Sequence, residues 1–161
     1  TKYEEGDLLP VWELAGNETG TMIGYHSIPV ITDAYMKGLR DYDVSAAYSA
    51  MKASAEADHL GLDHYKQKGY IPIDRENEGV SKTLEYAYDD WCIAQIAIEL
   101  GHDKDYDHYM RRAMNYHPVF DHETKFMRGK KGGQWERLPP PPALQQSMSS
   151  PKTAIGGGGG S

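Results

Sequence analysis

Three groups of residues have the types and spacing that chemistry needs. In Leu14-Ala15-Gly16-Asn17-Glu18-Thr19-Gly20 two glycines flank an amide and a carboxylate, and His26 follows a few residues later. Glycine lets a backbone approach a ligand closely, so Asn17, Glu18 and His26 are candidates for contacting a hydroxyl-rich ligand. A plain glycine turn with Glu18 in solvent is the alternative, because short glycine motifs are weakly specific. In Leu84-Glu85-Tyr86-Ala87-Tyr88-Asp89-Asp90-Trp91 three carboxylates interrupt an otherwise apolar run. Glu85 and Asp89 are four apart, so they share a helix face and repel by roughly 0.2–0.5 kcal/mol unless a cation or substrate lies between them. A solvated acidic face, partly offset by Lys82, is the competing reading. The third group is His59, His64, His102, His108, His117 and His122. None has the His-x-x-x-His spacing with a supporting acid, which argues against zinc chemistry.

Composition narrows what such residues could serve. A formal net charge of -7 and no basic stripe beyond Arg128 to Lys131 argue against nucleic acid as a partner. The single cysteine, Cys92, rules out an internal disulfide framework and reads as a buried thiol. No apolar run approaches the roughly 20 residues of a membrane span, and the first residues do not resemble a signal peptide. Twelve tyrosines and three tryptophans against two phenylalanines favour rings with a flat apolar face and a polar edge, suited to sugars and equally to amphiphilic helix packing.

The elements that position these residues are helical. Ile28, Ile31, Ala34 and Tyr35 recur at spacings of three and four, with Gly38 at the stop, predicting a helix near 28–37. Asp43 is a good N-cap for a helix over 43–57 whose inward stripe is Val44, Ala47, Tyr48, Met51 and Ala55. Leu84, Ala87, Tyr88, Trp91, Ala94, Gln95 and Ile98 predict a helix over 81–100 ending at Gly101. A fourth helix, capped by Asp103 and stopped by Pro118, runs over 103–115 with Tyr106, Tyr109, Met110 and Ala113 inward. Residues 65–78 read as an ordered non-helical loop, and a turn is placed at Asp121–Lys125. The fold class is therefore all-α, antiparallel helical hairpins in an array or toroid over 1–137. Residues 138–161, with Pro139 to Pro142 and a closing glycine run, read as a disordered Pro/Ser/Gly-rich tail.

Several blocks, taken in order, resemble one family. Leu9-Pro10-Val11-Trp12 with Gly16-Asn17-Glu18, then Met22-Ile23-Gly24-Tyr25-His26, Ala34-Tyr35-Met36-Lys37-Gly38, Gly69-Tyr70-Ile71-Pro72 and Ser81 through Trp91 are similar to glycoside hydrolase family 92 over about residues 7–136. The resemblance implies a β-sandwich preceding an (α/α)6 toroid, with this chain supplying helices of the toroid. It also implies exo-acting α-mannosidase chemistry with inversion, assisted by calcium, on a mannose-containing glycan, in a secreted, periplasmic or cell-surface parent. Inversion requires one carboxylic acid to protonate the leaving oxygen and a second carboxylate, roughly 6.5–9.5 Å away, to activate water.

The family's Glu-Gly-Asn acid motif, its Gly-Asn-Asp-Asp base motif and its Trp-Asp-Thr block do not occur in this sequence. The resemblance therefore implies substrate-pocket or supporting roles for Asn17, Glu18, His26, Glu85, Asp89 and Asp90, assigns no catalytic residue, and leaves the calcium ligands unassigned. The expected function is that of a fragment inactive alone. Two rivals are a stand-alone helical binding module and a small complete enzyme pairing Glu18 with Glu85 or Asp89. A partial toroid is also expected to leave Trp91, Tyr88 or Met51 exposed and to self-associate through such faces.

Overall fold

In the computed structural model, which describes residues 8–15 and 17–137, five helices carry the architecture among the described residues. Helix α1 spans Ser27–Met36, α2 Val44–Glu56, α3 Leu62–Lys68, α4 Gly79–Glu99 and α5 Asp103–Ala113, followed by a 3-10 segment over Met114–Val119. Three antiparallel two-residue hairpins complete the element list. Glu13–Leu14 (β1) pairs with Asn17–Glu18 (β2), Phe120–Asp121 (β3) with Phe126–Met127 (β4), and Lys130–Lys131 (β5) with Gln134–Trp135 (β6). Cys92 is buried on α4, and no helix among the described residues is long and apolar enough to cross a membrane. The predicted tail at 138–161 lies outside the described residues.

Local chemistry sets the boundaries. The Asp43 carboxylate accepts the Ala46 amide at 2.9 Å and so starts α2. At the end of α1, Gly38 takes a left-handed conformation while the Leu39 amide returns to the Ala34 carbonyl. Pro118 does not end the fourth helix abruptly: its last turn tightens into the 3-10 segment. The turn placed at Asp121–Lys125 is the link of the β3–β4 hairpin, with Lys125 in the left-handed region.

One expectation is corrected and another is met. Residues 62–68 are helical, bracketed by Gly61 and Gly69, both left-handed, whereas the sequence reading treated 65–78 as a non-helical loop. Seven residues hold two turns, too few for a periodic signal. The exposure expected of a partial toroid is met on α4: Tyr88 is 52% and Trp91 43% exposed, and they stack on each other in solvent, while Met51 is fully buried. The inward face instead carries Lys82, Thr83, Tyr86, Asp89, Asp90, Ile93, Ile96 and Ala97. A helix apolar on several sides does not announce which side is covered, and here polar groups with internal partners go inside.

Helix α4 is central, packing against α1, α2, α5 and the 3-10 segment. It runs antiparallel to α5, as the pairings of Gln95 with Met110 and of Asp90 with Arg112 require. Helix α2 runs parallel to α5, since Tyr48 and Lys52 reach Asp105 while Glu56 reaches Tyr109 and Arg112. The Arg112 guanidinium ties three of these elements together. Its Nε donates to Asp90 at 3.0 Å, one terminal nitrogen to Glu56 at 2.6 Å and the other to the Ala55 carbonyl at 2.9 Å. Tyr65 brings in α3, its hydroxyl bonding both Asp90 and the Arg112 carbonyl.

Removing one partner of a buried ion pair strands the other charge, at a cost of about 3–5 kcal/mol, whereas removing both can be close to neutral. Arg112→Ala is therefore expected to lower unfolding free energy by that amount, measured by urea denaturation. The Asp90→Leu/Arg112→Met double variant is expected to lose less than the sum of the two single changes. Additive losses would contradict this reading of the pair.

Candidate functional site

The described residues gather one chemically suggestive cluster, where the loop ahead of α1 lies on α4. The Asp89 carboxylate is 1% exposed and accepts the Tyr25 backbone amide at 2.7 Å. The Tyr25 ring stacks on Tyr86 one turn away, with centroids 4.9 Å apart. Gly24 makes this approach possible: its φ is +78°, and a Cβ there would meet the Glu85 Cβ at 3.0 Å. Docked in this way, the loop presents His26 to Glu85, Nδ1 to Oε2 at 3.9 Å, with the side chains 36% and 37% exposed. A histidine and a carboxylate meeting half-buried at a loop–helix junction can donate to and accept from neighbouring sugar hydroxyls.

The expected repulsion between Glu85 and Asp89 is relieved by neutralisation. Burial pushes the Asp89 carboxyl up to about 8; the Tyr25 amide pulls it down, while the charges of Asp90 and Glu85 raise it further. Asp89 therefore keeps its proton at neutral pH, while the Glu85 carboxyl faces His26. The second oxygen of Asp89, Oδ1, is buried without a partner. Lys82 does not offset this charge, being buried and paired with Glu76.

The other predicted site residues are placed differently. The Glu18 carboxylate turns back on its own loop, accepting the amides of Val11 at 2.5 Å, Trp12 at 3.0 Å and Gly20 at 2.9 Å. Partial burial raises its pKa, but these amides and that of Thr19 outweigh it and leave the carboxyl below its ordinary range. Asp90, adjacent in sequence to Asp89, faces Arg112 and Tyr65 instead of His26. Burial pushes its carboxyl up to about 7, although the Arg112 guanidinium and the Tyr65 hydroxyl pull it down. Asn17 contributes backbone to β2, and its side chain lies outside the described residues. Sequence reasoning missed Arg112, Glu56 and Tyr65 as the partners of Asp90, and Tyr25 as the partner of Asp89. An arginine in a last helical turn reads as a complement to the helix dipole, and a backbone amide 64 residues away leaves no signal.

Calcium takes six to eight oxygen ligands. Asp89 Oδ1 and Glu85 offer donors, but Asp90 is committed to Arg112, and no group of three or more His, Cys, Asp or Glu side chains converges among the described residues. These residues by themselves do not fit a calcium site.

The model of the glycosyl hydrolase family 92 catalytic domain matches residues 1–151. The chain is 30% identical over 149 residues to an uncharacterized secreted glycosidase of Arthroderma benhamiae, covering 81% of this chain and 19% of that protein. It superposes on the family GH92 α-mannosidase BT3965 of Bacteroides thetaiotaomicron, solved in complex with mannoimidazole, with a TM-score of 0.77 at 47% identity, covering 80% of this chain and 17% of that one. The inverting mannosidase BT2199 of the same species gives a TM-score of 0.80 at 37% identity, covering 85% and 20%. The catalytic domain of these mannosidases is an (α/α)6 toroid, the fold class to which the helical hairpins belong. The chain spans about a fifth of the length of the relatives it matches.

The neutral Asp89 gives stability a pH dependence of definite sign. Its folded pKa lies above the unfolded value, so its contribution is complete below about pH 4 and is lost as pH rises to about 8, at about 1.4 kcal/mol per pH unit. Asp89→Asn keeps an acceptor for Tyr25 and does not titrate. The stability of this variant relative to the unmodified chain is expected to grow between pH 5 and 8 in urea unfolding; parallel pH profiles would contradict it.

Proposed function

The chain belongs to glycosyl hydrolase family 92, and from that premise we propose that it forms part of the wall of an α-mannosidase active site. The reading is of an exo-acting domain that hydrolyses terminal α-mannosides with inversion. The chain contributes sugar-contacting and supporting groups and has no turnover of its own. In this proposal His26 and Glu85 meet sugar hydroxyls, Asp89 holds the His26 loop against α4, and Asp90 braces the helix beneath. Asn17 and Glu18 belong to the adjoining loop, Glu18 by fixing its backbone. The calcium ion implied by the resemblance belongs to the complete catalytic domain, and a secreted parent fits the secreted relative.

The observation that carries the proposal is the 3.9 Å meeting of His26 and Glu85 over a neutral, sealed Asp89. It supports a binding role and argues against a self-sufficient acid–base pair. An inverting pair needs two carboxyl groups on opposite sides of a water and a sugar. Asp89 is closed off from both, and Glu18, held by backbone amides below its usual pKa, is poorly suited to act as an acid. These contacts weigh against the small complete enzyme. The chemical character of the His26–Glu85 junction and the family weigh against a module built only for packing.

Self-association belongs to the same proposal. Tyr88, Trp91 and Ile98 form an exposed apolar stripe on α4, the kind of face that drives association. The purified chain is expected to release no mannose from an aryl α-mannoside and to sediment as species larger than its 18.0 kDa monomer. Mannose release that disappears in Glu85→Gln would overturn the division of roles. A monodisperse monomer that binds no hydrophobic dye would overturn the self-association.

A further inference from the structure

The Tyr25 ring has a neighbour that the His26–Glu85 cluster does not account for. Tyr25 is buried, with Tyr86 stacked on its ring and the His59 ring lying against it at a centroid distance of 5.9 Å and an angle of 56°. Tilted aromatic pairs attract at such a separation. His59 belongs to the link between α2 and α3, and that link is itself held in place. The Leu62 amide returns to the His59 carbonyl at 3.0 Å, and the Tyr86 hydroxyl donates to the Leu60 carbonyl at 3.1 Å. Leu60 and Gly61 both take left-handed conformations, and a Cβ at Gly61 would meet the side chains of Glu76 and Ile71 at 3.0 Å. The link is therefore packed closely on the segment ahead of α4, and it carries His59 onto Tyr25.

This contact suits an uncharged imidazole. The His59 Nδ1 is buried and has no hydrogen-bond partner among the described residues, so a protonated ring would carry an N–H with nowhere to donate. The titratable groups around the ring are Tyr25 ahead of α1, Lys66 on α3 and, past Tyr25, Tyr86 on α4. Neighbouring carboxylates are engaged elsewhere, Asp58 with Lys66 at 2.7 Å and Glu76 with Lys82. Among the described residues none forms an ion pair with His59. Burial, and then the Lys66 charge, hold the His59 pKa below the usual histidine value. Protonation therefore costs the docked loop more than the open one, so docking is complete above about pH 6.5 and weakens as pH falls below it. Asp89, the other group that holds Tyr25, keeps its proton throughout that lower range.

We propose that His59 is a positioning residue for the sugar site: uncharged, it closes the Tyr25 ring against Tyr86 and so keeps His26 beside Glu85. His26 directly follows Tyr25, so a ring released from this clamp frees the imidazole as well. His59 acts through Tyr25 and does not itself contact the sugar. The sugar contact rests on the reading of the chain as part of a mannosidase active-site wall, whereas the clamp is a property of the loop and is measured without any ligand.

Hydrogen exchange of the full, isotopically labelled chain reads the clamp at the Tyr25 amide, which donates to Asp89. Corrected for its intrinsic rate, Tyr25 protection is expected to fall several-fold between pH 7 and pH 5, and affinity for methyl α-mannoside with it. In His59→Phe, which keeps a ring and does not titrate, that fall is expected to disappear, with protection at pH 7 within about twofold of the unmodified chain. His59→Ala is expected to lose about fivefold at pH 7, the size of one aromatic pair. The same fall with pH in His59→Phe would overturn the proposal, since His26 and the other histidines remain in that variant. Unchanged Tyr25 protection in His59→Ala would also overturn it, as would a His59→Phe variant that recovers nothing. If His59→Ala fails to fold, the pH profile of His59→Phe decides alone. A clamp that behaves as expected in a chain that binds no mannoside would support His59 as the lock on the loop and overturn the sugar reading instead.

Discussion

Everything in this structure hangs on how α4 keeps carboxylates inside. Asp90 is closed over by Arg112 and Tyr65, and the same guanidinium continues to Glu56 and the Ala55 carbonyl. One side chain of α5 thereby fixes the placement of α2 and α4, and the Tyr65 hydroxyl adds α3. A buried ion pair of this kind contributes little net stability compared with apolar packing, since desolvation offsets much of the attraction. Its contribution is directional: apolar side chains tolerate small sliding, whereas a guanidinium with three occupied nitrogens does not. The apolar core of Ile28, Met51, Leu62, Ile93 and Ile96 supplies the driving force around this fixed register.

The neighbouring carboxyl does a different task by a different physical route. Asp89 has no cation and survives burial by keeping its proton, so one helix holds two adjacent acids in two electrostatic regimes. Asp89 accepts the Tyr25 amide and Gly24 lets the loop lie close on α4, which leaves Glu85 beside His26 at the surface. The His26–Glu85 junction therefore depends on Gly24, Tyr25 and Asp89 more than on any contact between the two residues themselves. Changes at Gly24 or Asp89 would displace His26 without touching it.

Much of the helical frame was legible in the sequence, and the reasons differ by element. In α2 the apolar residues fall on a single stripe, so Tyr48, Met51 and Ala55 could be placed inward from spacing alone, and Asp43 marked the start. In α4 Tyr88 and Trp91 are in solvent, as a partial toroid leads one to expect, but the burial of the two aspartates was not legible, because partners distant in sequence decide which polar groups can be buried. Helix α3 was too short for a periodic signal, although Gly61 and Gly69 could have marked its ends. At the site, residue type singled out Glu85, Asp89 and His26, and the structure brings them together. The same reasoning could not tell that Glu18 would spend its carboxylate on its own loop, since backbone amides carry no sequence signature.

The central claim is that the junction of the Gly24–His26 loop with α4 is a sugar-contacting surface, and amide mapping tests it most directly. The isotopically labelled chain would be titrated with methyl α-mannoside while backbone amide shifts are followed. The expected result is saturable perturbation centred on Tyr25, His26 and Glu85, with the amides around Asp103 and Asp105 at the far end of α5 unmoved. Perturbation centred anywhere else, or no shift at millimolar sugar, would contradict the account.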